Sequence, residues 1–318
     1  MLFRSSISSG GALVGTASIA ANQGVATFTN LGIGALSNTY TITYSSDLAQ
    51  SLNVTATQTA AVTYGNADHL IMNRQPIGGK TGDVLSTVPI VYVVDVYGNK
   101  VDNSTASVTA ALSVATTGDV VTGTTVNAVN GVATFSSLNV RTLPGTRTLA
   151  FTSTSLTGVT SASFTITHAD AAKLVLTTQP VGGNATGDRL TTQPVVEIRD
   201  RFDNVATSNT DTITITSSAG GSLSTSRTPG ETSIAAVAGV ATFTNVRLVG
   251  TPGTAYSLTF STGALSPAVS NSVTLTYSTA YQLAITTQPI AGKTAVNFTT
   301  QPVVAIQDAY GNTVTSST

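Results

Sequence analysis

The stretch Pro89-Ile90-Val91-Tyr92-Val93-Val94-Asp95-Val96-Tyr97-Gly98-Asn99 decides how this chain is read. It returns twice in altered form. The second copy is Pro194-Val195-Val196-Glu197-Ile198-Arg199-Asp200-Arg201-Phe202-Asp203-Asn204, and the third is Pro302-Val303-Val304-Ala305-Ile306-Gln307-Asp308-Ala309-Tyr310-Gly311-Asn312. Across the three copies Val91/Val93, Val196/Ile198 and Val304/Ile306 stay apolar, while the alternate positions admit Glu197, Arg199 and Gln307. A period of two with one face held apolar describes a half-buried strand. The Asp-x-aromatic-x-Asn that follows reads as its closing turn, because Asx side chains bond the backbone two residues on.

Working outward, Gly-Val-Ala-Thr-Phe occurs at Gly24, Gly131 and Gly239, 107 and 108 residues apart. Gln-Pro before a Gly-containing turn recurs at Gln75, Gln179 and Gln288. The period exceeds the roughly 20–45 residues of a solenoid repeat and matches a domain. Val25 to Phe28, Val132 to Phe135 and Val240 to Phe243 read as one recurring strand. The pairs Ile42/Tyr44, Leu149/Phe151 and Leu258/Phe260 read as another. No stretch of helical period appears, and Thr and Val favour strands. About seven strands fit each repeat between Gly, Asn, Asp and Pro turns. The expected fold is all-β, with tandem immunoglobulin-like β-sandwich domains in an extended rod; a closed barrel is the alternative. Tyr40 and Tyr256 stand where a tyrosine corner would stand, and Arg147 takes that place in the middle repeat.

Composition narrows the function classes. The 318 residues carry 13 Lys plus Arg and 14 Asp plus Glu, with no Cys and no Trp. Ser and Thr make up roughly three residues in ten, well above common usage. Without a basic excess there is nothing to neutralise a phosphate backbone, so nucleic acid is not an expected partner. No apolar run reaches the ~18 residues of a membrane span. Thiolate metal sites and disulfides are excluded.

Gln-Pro-x-Gly-Gly, the second proline (Pro89, Pro194, Pro302), Asp-x-Tyr-Gly-Asn and Gly-Val-Ala-Thr-Phe together resemble the tandem bacterial immunoglobulin-like repeats of large surface proteins, including invasin- and intimin-type adhesins. The resemblance runs over essentially the whole chain. It implies an extracellular or cell-surface bacterial rod, with any signal and anchor outside this segment, and it implies no catalytic residue. Met1-Leu-Phe-Arg opens no secretion signal, since no apolar stretch of about 7–15 residues follows. One turn departs from the pattern: Asp203 replaces the glycine.

The repeats divide the chain into residues 1–66 (the later part of a repeat), 67–170 and 171–279 (complete repeats) and 280–318 (the early part of another). The junctions Tyr64-Gly-Asn-Ala-Asp68, His168-Ala-Asp-Ala-Ala172 and Tyr277-Ser-Thr-Ala-Tyr281 are short and free of proline, which restricts hinging. On the middle repeats, Thr318 aligns with Thr210 and Met1 with Asp211, so the two partial repeats would sum to one domain. Three readings of this stay open: an arbitrary fragment, head-to-tail association in which one copy completes the next, or closure within one chain.

Few residues suggest chemistry. His69 aligns with Lys173 and Gln282, and His168 with Tyr64 and Tyr277, so neither belongs to a recurring constellation. The turns offer Asp95, Asn99, Asp200, Asp203 and Asp308 as weak calcium candidates, with Asp68 and Asp170 as helpers and Thr279 at the third junction. Calcium wants about 6–8 oxygen ligands, several of them carboxylates, so a turn role is preferred and no cofactor is expected. Lys80 and Lys293 raise an intramolecular Lys–Asn bond, against which Asn184 replaces the lysine in the middle. Asn53-Val-Thr55, Asn103-Ser-Thr105, Asn184-Ala-Thr186 and Asn297-Phe-Thr299 fit the glycosylation pattern by chance in so Thr-rich a chain. The leading expectation is a non-enzymatic stalk or spacer that projects a distal binding region, its partners being neighbouring repeats of the same chain. A ligand-binding module for a glycan or host protein, or a self-assembling fibre subunit, are the alternatives.

Overall fold

The computed structural model describes residues 1–47, 54–182, 185–223, 225 and 229–315. Among them there is no helix, and the chain is all-β. It forms two compact units, Met1–Thr167 and His168–Thr318.

In the first unit, one sheet runs in the order Thr125–Asn127, Ser107–Leu112, Leu149–Ser153, Leu156–Thr160, His69–Arg74, Ile90–Val94, Val132–Thr134. Every neighbour is antiparallel except Leu156–Thr160 against His69–Arg74, which is parallel. The two ends of this order share one core. Val108, Ala110, Leu149 and Phe151 from one end meet Val91, Val93, Ala133 and Phe135 from the other. The ends therefore face each other, as the two layers of a sandwich do. Phe135 and Phe151 lie edge to face with ring centroids 5.1 Å apart, and each fully buried ring contributes about 2–3 kcal/mol.

The second unit repeats this design in two separate sheets. Ala171–Thr178, Val195–Asp200 and Val240–Thr242 form one, and Ser233–Ala235, Thr212–Ser217, Leu258–Ser261 and Ala268–Val269 form the other. Leu174, Val196, Ile198 and Ala241 pack against Ile213, Ile215, Leu258 and Phe260. The alternation read from the sequence is what the burial shows, since Val196 and Ile198 are buried while Glu197 and Arg199 are half-exposed.

The outer segments are built differently. Near the N-terminus, Ser18–Ala20, Leu2–Ile7, Asn38–Ser46 and Thr55–Val62 form one sheet, and Gly11–Val14 pairs with Gly32–Ala35. Near the C-terminus, Ala280–Thr287 pairs with Val303–Asp308. Here one expectation fails. Val25 to Phe28 is not a strand, although its counterparts Val132–Thr134 and Val240–Thr242 are. Those counterparts pair with Ile90–Val94 and Val195–Asp200. Among the described residues of the first segment no strand pairs with Val25 to Phe28, and Val25 instead exchanges backbone hydrogen bonds with Asn22.

The tyrosine corners form. Tyr40 Oη donates to the Leu36 carbonyl at 2.9 Å, and Tyr256 Oη accepts from the Thr251 N–H at 2.7 Å. In the middle repeat Arg147 Nη2 donates to the Leu143 carbonyl at 2.8 Å and to Thr142 Oγ1 at 2.8 Å. Leu143 aligns with Leu36, so a guanidinium makes the bond that a phenol makes in the neighbouring repeat.

Candidate functional site: the joint between repeats

The recurring Asp-x-aromatic-x-Asn turn is where the sequence repeats most faithfully, and the structure shows why. The Asp95 carboxylate is buried. Its Oδ1 accepts from the N–H of Tyr97 and of Asn99, both at 2.9 Å. Its Oδ2 accepts from Asn99 Nδ2 at 2.9 Å and from the N–H of Gly65, in the preceding junction, at 2.7 Å. Asp200 repeats the set with Phe202 N–H at 2.8 Å, Asn204 N–H at 2.9 Å, Asn204 Nδ2 at 3.0 Å and Ala169 N–H at 2.8 Å. Asp308 does the same with Tyr310 and Asn312 N–H, both at 2.9 Å, Asn312 Nδ2 at 3.0 Å and Ser278 N–H at 3.4 Å. Gly65, Ala169 and Ser278 hold one position, the residue after Tyr64, His168 and Tyr277. Each buried carboxylate thus closes its own turn and holds the chain that enters the repeat.

Electrostatics agree with the geometry. Burial raises the pKa of Asp95, but the hydrogen bonds from Gly65, Asn99 and Tyr97 outweigh it and hold the carboxyl below its ordinary value. For Asp200 the balance is the same, with Asn204, Ala169 and Phe202 as donors. A buried carboxylate stays ionised only when such donors replace water.

The rest of the turn touches the preceding segment of the same unit. Asn99 Nδ2 donates to the Ala35 carbonyl at 3.0 Å, and Asn99 Oδ1 accepts from the Ser37 N–H. A Cβ on Gly34 would collide with the Tyr97 ring and hydroxyl. In the second unit a Cβ on Gly187 would collide with the Tyr310 ring in the same way. The aromatic residue of the turn therefore lies on a bare backbone patch in both places. Beside the first joint lies a cleft of about 390 Å³ lined by Ile33, Val62, Asn66, Asp68, Val96 and Tyr97.

The calcium candidates fall out as follows. On Asp95, Asp200 and Asp308 the oxygens are already taken by N–H donors, so a cation would have to displace the bonds that make the turn. Among the described residues no group of three or more His, Cys, Asp or Glu side chains is arranged to hold a metal. Asp203 has φ of 73°, as Gly98 and Gly311 do at 90° and 83°, so an Asp adopts the left-handed glycine conformation there. Its carboxylate lies 2.9 Å from Lys173 Nζ and 3.7 Å from Arg199 Nη1, and the Lys173 contact holds its pKa below the ordinary value.

His69 Nδ1 lies 2.9 Å from the exposed Asp68 carboxylate. His168 is a joint residue that the sequence did not single out as paired. Its Nδ1 is 2.7 Å from its neighbour's carbonyl at Ala169, which assigns the proton there. Its Nε2 then accepts from Ser208, whose Oγ is 2.9 Å away. His168 thus links Ala169 to Ser208, 40 residues on in the sequence. Asn103 and Asn297 are exposed, while Asn53 and Asn184 lie outside the described residues, and with Asn184 the middle position of the Lys–Asn comparison.

No protein-family model matches the chain, and no curated protein matches it. Solved structures similar to it include FdeC, an Escherichia coli adhesin, at 16% identity over 80% of this chain and 79% of that one, TM-score 0.41. Domains 1–6 of the surface layer protein SbsC are similar at 15% identity over 98% of this chain and 39% of that one, TM-score 0.28. A β-glycosidase from Bacteroides vulgatus is similar at 10% identity over 66% of this chain and 25% of that one, TM-score 0.29. The chain spans about a quarter of that glycosidase's length. The likeness goes no further than β-rich architecture.

Proposed function

We propose that the chain is a structural stalk or spacer segment of a bacterial cell-surface protein, non-enzymatic, and extracellular in its working place. One observation carries this reading. The same buried carboxylate holds the same junction N–H at all three joints, Asp95 to Gly65, Asp200 to Ala169 and Asp308 to Ser278. What the repeats preserve is the connection between repeats, which is the part a spacer must keep stiff. The motif resemblance to tandem bacterial surface repeats supports it. Few charges and abundant Thr suit a soluble surface with little affinity for its surroundings.

Small-angle scattering on the full chain tests the reading. An elongated distance distribution is expected, and Asp95→Ala with Asp200→Ala should broaden it without unfolding the sandwiches. A compact distribution in the parent chain, or no response to the double substitution, overturns it. So does glycan-array binding by the unmodified chain, which would favour a binding module.

A further inference from the structure

The Gln-Pro-x-Gly motif and the threonine after it lie away from the joint turns, yet they recur in both complete repeats. Their bonds reach the last segment of the same repeat. In the repeat 67–170, Gln75 Oε1 accepts from the Ala162 N–H at 2.8 Å. The Gly79 carbonyl accepts from the Thr167 N–H at 2.9 Å, and the Thr81 N–H donates to the Thr167 carbonyl at 2.8 Å. In the repeat 171–279, Gln179 Oε1 accepts from the Asn271 N–H at 2.9 Å, and the Thr186 N–H donates to the Thr276 carbonyl at 3.0 Å. A Cβ on Gly78 would collide with the Thr165 backbone, and one on Gly182 with the Thr274 backbone. The bare glycine lets the two segments come this close. The motif is thus a clasp laid along the leaving segment, in the same direction.

The direction matters. Lys80↔Thr167 and Ala185↔Thr276 are parallel bridges. So are Thr157↔His69 and Lys173↔Ser266, nearer the entry of each repeat. In a parallel pair, the end where one segment enters and the end where the other leaves are opposite. A pull that arrives through the preceding junction and departs through the following one therefore slides one segment past the other. Every bond between them is loaded together. Antiparallel neighbours such as His69–Arg74 and Ile90–Val94, pulled from their shared end, open one bond at a time. The clasp is also anchored sideways, through the buried Thr81 and Thr186. Thr81 Oγ1 donates to the Thr142 carbonyl at 2.7 Å and accepts from its N–H at 3.0 Å. Thr186 Oγ1 does the same with Gly250, at 3.1 and 3.0 Å.

We propose that the clasp of Gln75 and Thr81, repeated at Gln179 and Thr186, is the load-bearing element of each complete repeat, the part that must shear before the sandwich unfolds under tension. Its use rests on the stalk reading, but its strength does not. Scattering judges the one and pulling judges the other.

The chain has no cysteine, so pulling handles can be attached at chosen residues. In the full-length chain, Asn66→Cys with Asp170→Cys places them on either side of the first complete repeat. Asn66→Cys with Val96→Cys places them at one end of the antiparallel pair. All three positions are exposed, and unchanged melting of each double variant shows that it is folded. Single-molecule pulling at one loading rate should give a roughly threefold higher rupture force in the first geometry than in the second. Within the first geometry, Thr81→Pro removes the N–H and should lower the force by about half, and Gln75→Ala by about a quarter. Val91→Ala, in the core, should lower the denaturant midpoint more than Gln75→Ala does. It should leave the force nearly unchanged, because the core is still closed when the clasp shears. Gln75 is exposed, so its variant keeps the test open even where Thr81→Pro does not fold. Equal forces in the two geometries overturn the proposal. So does a Gln75→Ala chain as strong as the parent, or a Val91→Ala chain weakened at least as much as Gln75→Ala.

Discussion

Asp200 sits where four N–H groups converge from Phe202, Asn204 and Ala169, and its exchange is the sharpest test at the residue scale. Asp200→Asn keeps the shape but turns one acceptor into a donor facing other donors. The expected loss is about 2–4 kcal/mol, the cost of buried N–H groups without acceptors, read as a lower denaturant midpoint. The acid response follows from the same bonds. Asp95 and Asp200 have folded pKa values below the unfolded one. Their contribution is complete above the unfolded pKa near 3.9 and fades as pH falls through the folded values. A melting temperature flat from about pH 7 to 5 that drops below about 4 is expected, with a shallower drop in Asp200→Asn. Millimolar calcium should leave the parent's melting temperature unchanged, since the carboxylate oxygens are occupied; a clear rise would mean that the turns open to bind it. The importance of these turns was legible in their recurrence. Their partners were not, because the junction N–H groups that reach Asp95, Asp200 and Asp308 lie about 30 residues away in the chain.

At the scale of the strand, equal sequences carry unequal burial. Val196 and Val304 occupy the same place in the same motif, yet one is fully buried and the other 53% exposed. Val196→Ala should cost about 2 kcal/mol through lost burial and the cavity left behind. Val304→Ala should stay within about 0.5 kcal/mol. Scanning calorimetry of the two variants makes the comparison, and equal shifts would mean that the C-terminal strands are covered within one chain. The alternation marking these strands was readable because side chains leave a strand on opposite faces. Whether the marked face is covered depends on strands elsewhere, so Val25 to Phe28 loses its strand while Val240–Thr242 keeps it. Arg147 teaches the same lesson in reverse. It looked like a broken tyrosine corner, yet it reaches the Leu143 carbonyl. Arg147→Tyr should therefore be tolerated, and Arg147→Ala should cost about 1 kcal/mol.

At the scale of the whole molecule, stability is uneven. The cores around Phe151 and Phe260 each gather many buried apolar residues, whereas residues 280–315 form a two-stranded sheet with large apolar side chains exposed. A two-stranded sheet is marginal by itself. Limited proteolysis of the dilute chain should cut first between 280 and 315 and leave 171–279 intact; first cuts inside the strands of that repeat would contradict this distribution. Sequence alone determined the strand class, the period, the inward faces and the recurrence of the turns. These are local or repeated properties, set by side-chain alternation and turn chemistry along the chain. The tertiary structure decided which inward faces have a partner, what the turn carboxylates hold, and that an arginine can stand in for a tyrosine. Burial and hydrogen bonding join residues far apart in sequence, and only the folded chain brings them together.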